Sequence, residues 1–303
     1  MKNQAQIRHN PINNRSVIFA PKRTKRPSDI KNKKNNFVCP FCPENIKKQE
    51  LLQCLPEKEE WLAAVKKNLF PALSAKNKKA YGCQEIIIDT NQHCENFADL
   101  SLNQITLLLT LFQLRSNNII KDQKIKYILC FKNQGKSAGA SLRHIHSQIF
   151  ASSILPPDII EERNRIAEYY EKHQLCPYCQ EVKQEIIGPR LIWQDQNMIS
   201  FCPPVSEYPY EAWIISKRHV DNIGLLSKKE IFSLAKALKL IAKKLEGLEY
   251  DFNFFTHNDI PNKHQHFYLK IQPRPGIWAG VELGSGLIIN SVFPEDAAKY
   301  YKK

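Results

Sequence analysis

Apolar and polar positions alternate most cleanly at 144–149, His-Ile-His-Ser-Gln-Ile. An extended backbone there puts His144, His146 and Gln148 on one face and Ile145, Ser147 and Ile149 on the other. Three polar side chains on one face of a β-rich segment need partners. Just upstream, 135–141 is small and flexible with two glycines, a composition that lets backbone approach a ligand and offers N–H groups to phosphate oxygens. A phosphate cradle feeding a histidine strand suggests phosphoryl or nucleotidyl chemistry. Further apolar runs predict strands at 16–20, 85–90, 125–132, 191–201, 211–215, 252–256 and 264–272. The helical period takes over after Ser101, where Ser101 and Gln104 form a capping box. The helix runs to about 116 with Ile105, Leu108, Leu109 and Phe112 on one face. Ser227 and Glu230 form a second box opening a helix to about 245. Between these halves, 154–175 begins with a Pro-Pro break and continues as a charged connector helix.

The order of elements repeats. From Cys39 to Cys176 the shift is 137, from His93 to His219 it is 126, and from His144 to His264 it is 120. It drifts slowly while order and context hold, which predicts two copies of one unit near 37–153 and 174–274. The expected fold class is α+β: two tandem units, each an antiparallel sheet with packed helices, forming a pseudo-dimer. The expected domains are 1–153 and 154–303.

Composition adds the ligand class. The 303 residues carry a formal charge of +14, which implies an acidic ligand such as a nucleotide or nucleic acid unless the excess is solvated lysine. Nine cysteines include two Cys-x-x-Cys pairs, Cys39/Cys42 and Cys176/Cys179. With a polar N-terminus, MKNQAQIRHN, and no apolar run longer than that near 105–112, the expectation is a cytoplasmic protein with no membrane span. In a reducing compartment such cysteine pairs point to metal rather than to disulfides. Cys39 and Cys42 make half a zinc site, and His93 and His144 are the candidates for its other half. The plainer alternative is buried thiols and core histidines. Through the repeat, Cys176, Cys179, His219 and His264 become the second set of Zn2+ ligands. Four ligands with no open position make a structural site.

The pattern Asn-x-Gly-x-x-x-Gly-x-Ser-x-x-His-x-His-x-Gln, ending at Gln148, resembles the active-site signature of the galactose-1-phosphate uridylyltransferase family, the transferase branch of the histidine-triad superfamily. The opening RHNPINNRSVIFAPKRTKRPSD, the KNLFPAL stretch and the closing AGVELGSGLIINSVFPEDAA also look like family segments, so the resemblance covers most of the chain. It implies two units in one continuous structure, a homodimer, and a nucleotide-sugar and a sugar 1-phosphate as partners. It makes His93 the third metal ligand and His144 the fourth. Because some family members use glutamate and histidines at the second site, Glu162 and His257 are alternative ligands there, although Cys176-Pro-Tyr-Cys179 argues for the cysteine version.

The same resemblance gives His146 the role of nucleophile, which a neutral imidazole suits near pH 7. Gln148 would donate to a non-bridging phosphate oxygen. The mechanism implied is ping-pong, with a nucleotidyl-histidine captured by an incoming sugar 1-phosphate. Arg23 and Arg26, whose guanidinium forks suit phosphates, and Asn68 would lie in the nucleotide site. Asn133, Gly139 and Ser141 would hold the phosphates, and Glu282 fits a sugar-hydroxyl ligand. In the second half, His266 is expected at the nucleophile position with Tyr268 replacing Gln148, making that unit catalytically silent. Two departures stand out. Ile145 occupies the place of a proline common in these enzymes, and no glutamine in 283–290 matches the family's sugar-reading one. The competing readings are an adenylyltransferase or phosphorylase using an ADP-sugar or a dinucleoside polyphosphate, and a basic zinc-ribbon nucleic-acid-binding protein. The last would leave the histidine strand without a role.

Overall fold

The computed structural model describes residues 4–9, 15–25, 38–46, 49–257, 260–262 and 264–303. Arg26 therefore lies outside the described residues. In chain order the elements are β1 (Gln6–His9), β2 (Ser16–Phe19), α1 (Pro43–Ile46), β3 (Gln53–Leu55), β4 (Ala63–Lys67), β5 (Gly82–Ile88), α2 (Leu102–Ile119), β6 (Tyr127–Gln134) and β7 (His146–Ser152). The second half follows with α3 (Pro157–His173), α4 (Pro177–Glu185), β8 (Leu191–Gln194), β9 (Met198–Phe201), β10 (Ala212–Ser216), α5 (Lys228–Glu246), β11 (Phe252–Thr256), β12 (Tyr268–Pro273), α6 (Gly280–Ser285) and α7 (Pro294–Lys302). No helix among the described residues is long and apolar enough to cross a membrane.

Strands β1 and β2 form a separate antiparallel pair. The other ten make one antiparallel sheet in the order β3-β4-β5-β7-β6-β11-β12-β10-β9-β8. From either edge inward the pattern is the same: three consecutive strands, then the last strand of the unit, then the one before it. The two units meet at β6 and β11, paired Phe131 to Phe255 and Asn133 to Asn253. The expected pseudo-dimer is thus a single sheet with no seam.

The main core lies on the face covered by α2 and α5. Both helices start at the expected capping boxes: Ser101 Oγ accepts from Gln104 N at 3.2 Å and Ser227 Oγ from Glu230 N at 3.3 Å. Each such cap contributes about 1 kcal/mol. Helix α2 continues to Ile119, beyond the expected end near 116, because no glycine or proline intervenes and Ile119 still reaches the core. On the opposite face two smaller clusters occupy equivalent places. One holds Phe41, Ile46, Trp61, Ala64, Ile88 and Leu142; the other holds Val182, Ile199, Phe201, Ile215 and Tyr268.

Strand register fixes which residues correspond between the units. In the first, Ile88 pairs with His146 and Phe131 with Gln148. In the second, Ile215 pairs with Tyr268 and Phe255 with Lys270. The approach to each strand matches too: Ile145 N donates to Cys94 O at 3.0 Å, and Phe267 N donates to Val220 O at 2.6 Å. His144 therefore corresponds to His266, His146 to Tyr268 and Gln148 to Lys270. The expected alignment, with His266 at the nucleophile position, is wrong by two residues. Strand β7 also begins at His146 rather than at 144, so His144 belongs to the extended lead-in.

Candidate active site

The first cluster that could hold a metal ion forms where the lead-in to β7 meets the Cys-x-x-Cys knuckle. One ligand atom each from Cys39, Cys42, His93 and His144 all lie within 4.8 Å of one another. His144 Nε2–H donates to the Thr90 carbonyl at 2.9 Å, so Nδ1 carries the lone pair, 3.5 Å from Cys39 Sγ and 3.7 Å from Cys42 Sγ. His93 Nδ1 lies 3.3 Å from Cys42 Sγ. Tetrahedral bonds of about 2.0–2.3 Å give ligand–ligand edges of roughly 3.3–3.8 Å, so this donor set fits a zinc ion. Burial, with the Cys39 thiol beside it, pushes the Cys42 thiol up to about 12, and burial lowers the His144 pKa. A dication would reverse the first effect and use the second, since ligating sulfur is a thiolate and ligating imidazole is neutral.

The second cluster is Cys176, Cys179, His219 and His266. The expected fourth ligand, His264, is not in it, and the two-residue register shift is the reason. His266 Nε2–H donates to the Ser216 carbonyl at 2.8 Å, as His144 does to Thr90, and its Nδ1 sits 3.4 Å from Cys179 Sγ. A hydrogen bond from Cys179 holds the Cys176 thiol down at about 3, while Cys179 itself is pushed up. His264 instead packs at a tilt against Tyr170, ring centroids 4.7 Å apart. The alternative ligands Glu162 and His257 pair with each other at 2.5 Å and are not part of the cluster.

Two residues beyond the first cluster comes His146, 7% exposed. Its Nδ1–H donates to the His144 carbonyl at 3.0 Å, and because a carbonyl only accepts, the neutral ring carries its lone pair on Nε2. The metal ligand and the imidazole it would aim are joined through that carbonyl. Behind the strand, Lys132 Nζ pairs with Asp89 at 2.7 Å and reaches the His146 carbonyl at 3.3 Å. Ser147 Oγ donates to the same Asp89 oxygen at 3.1 Å.

His146 lines two cavities. One, about 170 Å³, is polar and charged, lined by Glu95, Asn133, Gly135, Lys136 and Arg143 among others. The other, about 70 Å³, has apolar walls from Pro40, Phe41, Leu69, Phe70, Ile86 and Leu142, with Lys66, Asn68, Ser141 and Gln148 as its polar groups. An imidazole nitrogen between a charged recess and an apolar slot suits a phosphorus atom with a flat base on one side and a phosphorylated group on the other.

Of the eight remaining expected residues, four line these cavities, three do not and Arg26 lies outside the described residues. Asn68, Asn133, Ser141 and Gln148 line them. Arg23 lines neither: it donates to the Phe70 carbonyl at 3.1 Å and to Gln84 Oε1 at 3.3 Å, bracing the 68–73 loop. Gly139 also lines neither, and its φ of +83° serves a turn in which Gly139 N donates to Lys136 O at 3.0 Å. The expected cradle of unused N–H groups is therefore partly spent, because Ala140 N binds Gly135 O and Ser137 N binds Asp251 Oδ2. Glu282 is half-buried on α6, takes the Ala279 N–H at 3.0 Å and lines neither cavity.

A family model described as galactose-1-phosphate uridyl transferase, N-terminal domain, matches residues 1–156. The chain belongs to the galactose-1-phosphate uridylyltransferase family. Among relatives of this uridylyltransferase-family chain, an ADP-glucose phosphorylase from Arabidopsis thaliana is 31% identical over 100% of the chain and 94% of its own length. A galactose-1-phosphate uridylyltransferase from Thermotoga maritima is 28% identical over 98% of each. Two solved structures agree. The crystal structure of the A. thaliana ADP-glucose phosphorylase with bound ADP-glucose superimposes with a TM-score of 0.81, covering 99% of both chains at 31% identity. A uridylyltransferase structure gives 0.85 at 28% identity, covering 98% of this chain and 97% of that one.

Seen as a uridylyltransferase-family protein, the chain assigns its second unit a supporting part that the sequence reading missed. Asp251, Asn253 and Arg274 grip the glycine-bearing loop: Asn253 Nδ2 donates to Asn133 Oδ1 at 2.9 Å and to Ala138 O at 2.8 Å, and Arg274 Nε donates to Asn253 Oδ1 at 2.5 Å. Gly135, at φ +81°, leaves room for Asp251, since a Cβ there would lie 1.7 Å from its carboxylate. At the place of His146 the second unit has Tyr268, stacked between Trp213 and His257.

Proposed function

We propose that the protein is a nucleotidyltransferase that moves UMP between hexose 1-phosphates through a covalent nucleotidyl-histidine at His146. The observation that carries this reading is His146 at the junction of a charged and an apolar cavity, with Nδ1 tied to a backbone carbonyl and the lone pair thereby on Nε2. In the first half-reaction Nε2 attacks the α-phosphorus of a UDP-hexose, an N–P bond forms, and the anhydride P–O bond breaks. The sugar 1-phosphate leaves with the electron pair as a stable anion that needs no proton. Nδ1 keeps its proton throughout, and the His144 carbonyl disperses the positive charge the ring acquires. Gln148 donates to a non-bridging oxygen, and Asn133, Ser141 and Lys136 hold phosphate oxygens. A second sugar 1-phosphate then reverses these steps. Zn2+, where bound, would be held by Cys39, Cys42, His93 and His144 and by Cys176, Cys179, His219 and His266, and with four protein donors at each site it would supply rigidity rather than chemistry.

A second reading, transfer of AMP from an ADP-sugar to phosphate, is favoured by the A. thaliana relative that spans the whole chain. Incubation with UDP-glucose or ADP-glucose labelled in the nucleoside separates the two. Acid-labile uridylyl label on His146 supports the first reading and adenylyl label the second; absence of both refutes covalent catalysis. His146→Asn is expected to abolish label and lower kcat by about 10³-fold or more. The protein is further proposed to act as a homodimer. Ile277, Leu283, Leu287, Ile289 and Phe293 are between 69% and 95% exposed along one segment, more apolar surface than a lone chain is expected to leave in water. The sugar-reading role proposed for Glu282, in that same segment, then needs a second copy to bring it to a cavity. Light scattering at micromolar concentration tests the dimer.

A further inference from the structure

Lys66 is a buried lysine that the described residues leave without a partner. It lies in β4, 3% exposed, and lines the apolar cavity beside His146. Its pairing partner in β5 is Ile86, which in turn pairs with Gln148 in β7, so the three side chains share one face of the sheet in a single row. Among the described residues no carboxylate, hydrogen-bond acceptor or aromatic ring meets the ammonium, and burial alone pushes its pKa down. The ammonium nitrogen is not among the fully buried polar atoms without a partner, so it stays accessible at the cavity that the side chain lines, and a cation held there unpaired is placed for an acceptor that a ligand brings.

The position within the row indicates which part of the ligand that is. Two strand spacings separate Lys66 from Gln148, about 10 Å across the sheet. A phosphorus at His146 Nε2 would already be beside Gln148, and about 10 Å is what a ribose and base span from there. Around Lys66 the slot is built for a flat ring, with Phe41, Leu69, Phe70 and Ile86 as walls. Asn68 is the neighbouring polar group, and its Oδ1 is committed to the Phe70 N–H at 2.8 Å, which leaves its amide as a donor.

We propose that Lys66 reads the nucleobase, donating to a carbonyl oxygen on its edge, so that the slot selects a uracil-type base over adenine. A lysine has three donors and no acceptor, which matches a base edge carrying two carbonyl oxygens. Adenine places an amino donor where uracil has a carbonyl and offers only ring nitrogens beside it, so the ammonium meets a poorer match there. This inference rests on the nucleotidyl-transfer reading for the placement of the base, and it concerns the choice of base, which that reading leaves to experiment.

The test is equilibrium binding of UMP and of AMP to the full-length, metal-replete protein by calorimetry, for the parent, Lys66→Met, Lys66→Gln and Lys66→Arg. The parent is expected to bind UMP at least tenfold more tightly than AMP. Loss of a charged hydrogen bond should weaken UMP about 10- to 100-fold in the Met and Gln variants while AMP stays within about threefold. The Arg variant, which keeps the donors, should retain part of the preference. A parent preference for AMP, no binding of either nucleotide, or an equal loss for both, which would mean a phosphate contact, overturns the proposal; so does no change in either. Having both Met and Gln variants keeps the result readable if one folds poorly. If His146 takes up uridylyl label but the UMP preference is unaltered in these variants, the base reading falls and the transfer reading stands. If no label forms yet the preference disappears with Lys66, the reverse holds.

Discussion

Lys66 also makes a prediction at the residue scale that needs no ligand. Burial holds its pKa below the ordinary 10.5, so between that lowered value and 10.5 the unfolded chain binds more protons than the folded one, and stability rises with pH. Lys66→Met should therefore be more stable than the parent at neutral pH, with the gap closing as pH rises through this window. Denaturant melts at pH 7, 9 and 10 check it, and a gap that widens would contradict it. Gly135→Ala should act in the opposite sense. The added methyl meets the Asp251 carboxylate at 1.7 Å and the backbone stays at φ +81°, so a loss of about 1–3 kcal/mol is expected, with a fall in kcat from the displaced loop. The sequence announced His146 and Gln148 plainly, since few segments alternate so cleanly. It did not announce Lys66, which reads as one of many lysines until β4 is seen turning it inward, nor Asp251, whose partner Ser137 is 114 residues away.

Among the elements, β7 and β12 are the same strand used for different ends. The buried ionic trio Lys132, Asp89 and Ser147 lies behind β7 only; register puts Thr256 at the place of Lys132 and Leu269 at that of Ser147. A charged pair in a core is expensive to keep, and this one accompanies the strand that carries His146. Lys132→Met should cost about 3–5 kcal/mol by stranding Asp89, whereas Lys132→Met with Asp89→Leu should recover most of that stability. If the double variant also regains full activity, the pair does not help position His146. Strands β2 and β5 to β12 were legible from apolar runs and α2 and α5 from their capping boxes, whereas β1, β3 and β4 were not, being short and without a long apolar run. The register of β12 was not, because His264-x-His266 repeats the spacing of His144-x-His146, and only pairing with β10 shows that the chain has slipped by two residues.

For the whole molecule, the two metal sets are expected to separate stability from chemistry. Cys39→Ser should lower the melting temperature and abolish nucleotidyl label, because His144 and His146 are joined through one carbonyl. Cys176→Ser should lower the melting temperature comparably yet leave label measurable at low temperature, since no residue of that cluster lines either cavity. Differential scanning calorimetry with a labelling assay on the same samples decides this. The union of the units through β6 and β11 reaches further. A fragment ending at the connector would carry His146 and every expected nucleotide contact, yet its β6 would be a raw edge and its glycine loop would have lost the grip of Asp251 and Asn253. Such a half is expected to be inert alone and to revive when the other half is added. The second unit would then serve the first as a splint, and a chain that shed it would need another brace for β6 and the glycine loop.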